Sequence, residues 1–225
     1  MSGHPLGGMR HFAGLKYFLA VVLLSFASIA SADGKRDYEA GAAYVRQKLD
    51  EARDGQVDQS FLTFLLVQTQ VKMQAGEWNT AVHTAEPLVE MQEIVHGPES
   101  PELADALGAL ADVYSNLNRL PEAEPLLKRS VSITRMHKAT LPVAHLRALN
   151  SLGATYNLLS RFRDAEPPLV EALDLAQQQF GPDAPQVGVT EWLLAASYKG
   201  QGKAEQAARA QERAEHLLPK HGTSQ

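Results

Sequence analysis

The 225-residue sequence predicts an all-α fold: a right-handed α-solenoid of about four antiparallel helix pairs behind one N-terminal capping helix. Three observations carry this. Residue types recur at a fixed step of 42 positions. Within each step the apolar residues follow a helical period. The composition, 44% hydrophobic but only 7% aromatic, suits helices packed on short side chains better than a β-sandwich, which wants Val, Ile, Thr and aromatics.

The step is visible in five columns. Tyr114, Tyr156 and Tyr198 are one step apart, as are Leu110, Leu152 and Leu194. So are Ala81, Ala123, Ala165 and Ala207, and Met91, Ile133, Leu175 and Leu217. Gly97-Pro98 returns two steps later as Gly181-Pro182, each followed by a second proline, Pro101 or Pro185. Self-similarity at a period of about 20–50 residues marks a stack of supersecondary units. Leu107, Leu110, Ala111 and Tyr114 fall at i, i+3, i+4, i+7, one stripe of a helix. After a break at Asn118-Arg119, a second stripe runs Leu120, Ala123, Leu127, Val131. The next unit repeats both as Leu149, Leu152, Gly153, Tyr156 and then Phe162, Ala165, Leu169, Leu173. Each unit is thus two antiparallel helices joined by a short turn. Small residues at Ala111, Gly153 and Ala195, and in the Ala123 column, let the paired helices approach closely.

The elements follow in order. Residues 1–32 read as a signal peptide: Arg10, His11 and Lys16, then the apolar run Tyr17 to Ala30, then Ala30-Ser31-Ala32, with cleavage expected after Ala32. The competing reading is an uncleaved anchor, but the run is shorter than the roughly 20 residues of a spanning helix. Either Met1 or Met9 can be the start. Residues 33–56 hold the capping helix, expected over 37–53, with Tyr38, Ala42, Val45, Leu49 and Ala52 on one face and Gly55 at its end. The repeat array occupies 57–218. Its first unit is degenerate, with Lys72 in the tyrosine column and Trp78 in the column of Leu120 and Phe162. At the far end the pair Leu127/Val131, kept as Leu169/Leu173, becomes Gln211/Glu215, the polar outer face of a terminal repeat. Pro219 stops the last helix, and the tail 219–225 is expected to be disordered.

Chemistry is scarce. The chain has no cysteine, which excludes disulfides, thiolate catalysis, cysteine zinc sites and a lipid anchor. Removing the leader takes away two of the 21 Lys and Arg and none of the 26 Asp and Glu, so the mature charge is −7, with no basic cluster for nucleic acid. There is no G-x-S-x-G, H-E-x-x-H, Walker loop, GxGxxG or EF-hand spacing. None of His83, His96, His137, His145, His216 and His221 lies three or four residues from another, and all are expected on the solvated surface. Glu122 with Glu124, and Glu90 with Glu93, read as solvated helix faces. Trp78 and Phe162 occupy a packing column and not an aromatic cage. No cofactor, no metal and no enzymatic activity are expected.

The motif Leu152-Gly153-Ala154-Thr155-Tyr156, followed by Ala165-x-x-x-Leu169, resembles the tetratricopeptide repeat pattern L-G-x-x-Y then A-x-x-x-F. The usual period there is 34. The longer step, the segments "ALNSLGATY" and "AEPLLKRSV" and the GPxxP linker look like the kinesin-light-chain subtype in an exported bacterial protein, over residues 57–218. The resemblance implies that first helices line a concave groove, with Asn150 standing where the family's first groove asparagine often clamps a ligand's backbone. A side-chain amide suits this, because it both donates and accepts. The groove residues expected to bind a partner are Gln70, Asp105, Asp112, Asn116, Arg147, Asn150, Asn157, Trp192 and Lys199. Replacing Asn150 and Asn157 by Ala is expected to leave folding nearly intact. The function expected is an exported interaction scaffold, periplasmic or secreted, holding a peptide or partner protein in that groove. It binds no nucleic acid and inserts in no membrane once the leader is cleaved. The alternative is a structural repeat protein that associates with itself and leaves the groove idle.

Overall fold

The computed structural model describes residues 32–218, with side chains from residue 41 onward. The leader before Ala32 and the tail 219–225 lie outside them. Every regular element among the described residues is an α-helix. The chain divides into two compact units, one reaching to Gly97 and one beginning at Pro98.

The first unit holds α1 (Ala32–Arg53), α2 (Gln59–Gln74) and α3 (Trp78–His96). Helix α1 begins five residues before the span expected for it, and Val45, Leu49 and Ala52 are buried as its stripe requires. Asp58 caps α2 by accepting from the Ser60 and Phe61 amides, both at 3.1 Å. Thr69 donates to Thr84 at 3.0 Å in the interior between α2 and α3. The capping helix is in register with the repeat. Leu49 stands one 42-residue step before Met91 in the buried column, and Gly55 one step before Gly97, both at positive φ. Helix α1 is therefore the second helix of a half-repeat that has no first helix among the described residues.

The second unit holds three pairs: α4 (Pro101–Asn116) with α5 (Leu120–Met136), α6 (Pro142–Leu158) with α7 (Phe162–Phe180), and α8 (Pro185–Gly200) with α9 (Ala204–Leu217). A proline opens each first helix, where its missing N–H costs nothing. The turn inside each pair needs a left-handed residue. Gly76, Asn118, Ser160 and Gly202 supply it at φ 72°, 57°, 58° and 76°, one per repeat. Ala123 and Ala165 are fully enclosed, whereas Ala207 in the terminal pair is half-buried. Gly153 makes the closest approach: a Cβ built there would lie 2.4 Å from Leu169. Phe162 lies against Gly200, where a Cβ would meet its ring at 2.3 Å, so the packing role expected for this column holds.

The tyrosine column carries a second regularity. A cation five residues on covers each ring, with Arg119 4.2 Å from the Tyr114 centroid, Arg161 4.7 Å from Tyr156 and Lys203 5.5 Å from Tyr198. The degenerate repeat keeps a pair there in other chemistry: Lys72 is buried, with its Nζ 3.7 Å from Glu77 and 3.3 Å from the Thr80 hydroxyl. Glu124 and Glu166, one step apart, tie successive repeats by accepting from Arg161 at 2.8 Å and Lys203 at 2.7 Å. Gln211 and Glu215 are exposed, and Gln211 Nε2 donates to Glu215 Oε1 at 2.6 Å. Helix α9 ends at Leu217, and Leu218 turns to ψ 140°, the extended region a residue before proline prefers.

Candidate functional site

In the second unit the first helices α4, α6 and α8 lie side by side, and the residues opposite their buried stripes form one surface. Opposite charges in one column join α4 to α6, where Arg147 donates to Asp105. Asn116 donates from Nδ2 to the Asp112 carbonyl of its own helix at 2.8 Å. Burial pushes the Asp112 carboxyl above its ordinary range, and the Arg147 cation pulls it partly back. Between α6 and α8 the contacts are amide-mediated. The Thr190 hydroxyl donates to Asn150 Oδ1 at 3.2 Å, and Asn157 Nδ2 donates to the Leu193 carbonyl at 2.9 Å. The enclosed Asn157 Oδ1 accepts no hydrogen bond from the described residues.

The surface thus brings together Asp105, Asp112, Asn116, Arg147, Asn150 and Asn157. Trp192 and Lys199 stand one step beyond Asn150 and Asn157, on α8, and both are exposed among the described residues. Gln70 is exposed on α2, in the first unit. The two asparagines are not idle surface groups, which changes what their replacement should do. Asn157 staples α6 to α8, so Asn157→Ala strands a backbone carbonyl and costs stability. Exposed Val143 and Leu158 on α6, which the sequence reading passed over, add an apolar component beside Val189 on α8. They were legible as apolar residues outside the buried stripe.

The expectation of solvated histidines fails at His145, which is 1% exposed. Its Nδ1 is 2.9 Å from the Thr134 hydroxyl on α5, and its Nε2 is 3.2 Å from Glu171 Oε1 on α7. Glu171 in turn accepts from Arg135 at 2.9 Å. The column explains the burial, because Phe61, Leu103 and Val187, each a whole number of steps away, are also fully buried. His145 is a core residue that ties three helices, at the base of a cleft of about 430 Å³ rimmed by Lys138 and Asp174. With both ring nitrogens engaged, it is structural. Burial pushes the imidazole below its ordinary pKa; Glu171 opposes this, while Arg135 and Lys138 add to it. Below about pH 6.5 the unfolded histidine takes up a proton that the folded one refuses, so the stability His145 contributes falls with acidification. The stability gap between the wild type and His145→Leu, from urea unfolding, should narrow from pH 7 to pH 5. A constant gap would show that His145 titrates alike in both states.

Among the described residues no group of three or more His, Cys, Asp or Glu is placed to hold a metal ion, and no helix is long and apolar enough to cross a membrane.

Paired helices, a left-handed turn in every pair and first helices presenting one shared surface define a helical-repeat scaffold of the kind that serves protein–protein interaction. The chain belongs to the tetratricopeptide repeat family, whose model matches residues 70–136 and 145–220. Among solved structures it is similar to a Podosopora anserina protein described as a kinesin light chain with nearly identical TPR-like repeats, at 19% identity and TM-score 0.61, covering 93% of this chain and 97% of that one. A single-substitution form of that protein gives 19% identity and TM-score 0.63 over 93% and 96%. BtubC (BKLC) from P. vanneervenii gives 18% identity and TM-score 0.65 over 96% and 91%. At these identities the likeness shows the fold, with repeats of the kinesin-light-chain kind. No curated protein matches the sequence.

Proposed function

We propose that the protein is an exported, non-catalytic adaptor that holds a segment of a partner protein along the exposed faces of α4, α6 and α8. The observation that supports this best is Trp192, 54% exposed on α8 beside Val189 at 45%. A large aromatic left in water within a repeat scaffold is the residue type that anchors interfaces. The surface also grades along its length, from the acids Asp105 and Asp112 at α4 to an apolar and basic end with Val189, Trp192 and Lys199 at α8. A fitting partner segment carries a cation toward α4 and an apolar side chain toward α8. Because Asn157 is engaged within the protein, Asn150, whose NH₂ makes no bond among the described residues, is the amide left to meet a peptide backbone.

Two measurements test the reading. Mass spectrometry of the protein recovered from its native compartment should find an N-terminus at Asp33; a chain retaining Tyr17 to Ala30 would overturn the export. Partners captured on the protein should bind Trp192→Ala at least about tenfold more weakly, about 1.4 kcal/mol, with melting changed by under about 0.5 kcal/mol. Unchanged affinity for both Trp192→Ala and Asp112→Asn would move the site off this surface.

A further inference from the structure

We propose that the segment held along α4, α6 and α8 is an extended peptide with a Lys or Arg side chain on Asp112 and an apolar side chain on Trp192, about six residues apart. This rests on the partner-binding reading above and gives that partner its chemistry.

Asp112 is the acid left for a cation from outside. Of the two acids on this face of α4, Asp105 is already joined to Arg147. Among the described residues no hydrogen bond or ion pair reaches the Asp112 carboxylate, and Asn116 beside it donates to the Asp112 backbone carbonyl instead. The side chain is open to solvent, yet enough protein surrounds it to push the carboxyl above its ordinary range. A cation is attracted more strongly to a charge in such a setting than to one fully in water.

The surface between Asp112 and Trp192 is low. One and two steps after Asp112 stand Ala154 and Ala196, and Gly108, one turn before Asp112, is a place where a Cβ would meet nothing within 4 Å. Asn150 lies on α6 between the two ends. Its Oδ1 accepts from Thr190, which leaves its NH₂ to donate outward. Carbonyls inside a helix are bonded four residues along their own chain, so a segment that accepts from Asn150 through its backbone is extended. Packed helices stand about 8–10 Å apart, and the two intervals from α4 to α8 span about 16–20 Å. An extended chain covers this in about six residues, at about 3.3 Å each, whereas a helix needs about twelve. Lys199, two turns beyond Trp192 on α8, disfavours a cation at the Trp192 end.

Panning a random library of peptides on the protein purified from its host should enrich sequences with Lys or Arg about six positions from an apolar residue. A synthetic peptide of that consensus should bind Asp112→Asn at least about tenfold more weakly than the wild type. Panning on Asp112→Lys should change the preferred cation to Glu or Asp at the same position and keep the apolar residue, which a merely structural role for Asp112 would not do. Peptides that Trp192→Ala releases but that show no preferred cation overturn this inference and leave the partner-binding reading standing. A preferred spacing near twelve overturns the extended form. Enrichment no greater on the wild type than on Trp192→Ala overturns the inference as well, and captured partners then decide the reading beneath it.

Discussion

Arg213→Met should destabilise the protein by about 2–3 kcal/mol at neutral pH. Glu191 sits in the middle of α8 and is 7% exposed, and its carboxylate lies 3.2 Å from Arg213 Nε on α9. The same guanidinium donates to the Pro182 carbonyl at 3.0 Å, so one side chain both neutralises a buried acid and satisfies the linker before α8. Burial pushes the Glu191 carboxyl above its ordinary range, and Arg213 holds it partly down. Removing one member of a buried ion pair costs about 3–5 kcal/mol, because the other charge is left unpaired. The value here is set lower because Arg213 reaches solvent. The pH dependence gives the mechanism away. A carboxyl raised above its unfolded pKa favours folding below that pKa and loses the benefit as pH rises through its folded value. In Arg213→Met the carboxyl rises further, so the penalty should shrink between pH 7 and pH 5 as Glu191 takes up a proton. Urea unfolding at both pH values decides this, and an equal loss at both would assign the effect to packing. Adding Glu191→Gln to Arg213→Met should recover most of the loss.

Gly153→Ala should cost about 1–3 kcal/mol, although alanine is the better helix former by about 1 kcal/mol. The Cβ would enter the space of Leu169, which is fully buried and has Cγ as well as Cδ2 at 2.4 Å. The overlap involves the root of the side chain, so no rotamer of Leu169 relieves it without moving α7. Gly108→Ala is the matched control. It too lies within a first helix, but a Cβ there meets nothing within 4 Å, so the propensity gain of about 0.5–1 kcal/mol should appear as added stability. Opposite signs for two glycine-to-alanine changes in equivalent helices would fix the cause as the α6–α7 contact. If Gly153→Ala melts no lower than the wild type, the close-packing account of the repeat is wrong.

The 42-residue step located the helix pairs, the turn at Asn118 and the packing columns of Phe162 and Tyr156 before any coordinate was known. Burial along a helix follows from angular position alone, so each column reads independently of its partners. By the same token the step contained more than was taken from it. Leu49 and Gly55 continue the columns of Met91 and Gly97 into α1, and His145 stands in the column of Leu103 and Val187. Both facts are hard to read from residue type: α1 reads as a cap because the residues before it read as a leader, and His145 as a surface residue because histidine usually is one.

What the sequence determined by itself is the all-helical repeat, the length of its unit, the short turn inside the pairs and the polar residues at Gln211 and Glu215. Each depends on local propensity and on the order of apolar residues along one helix. Only the tertiary structure decided which polar groups are occupied: that Asn157 is bound by the Leu193 carbonyl, that Arg147 meets Asp105, and that Thr134 and Glu171 make room for a buried histidine. The physical reason is reach. A hydrogen bond or an ion pair is made or lost over a few tenths of an ångström between helices some 40 residues apart in sequence. That distance is set by how the side chains between them pack, which no single helix specifies.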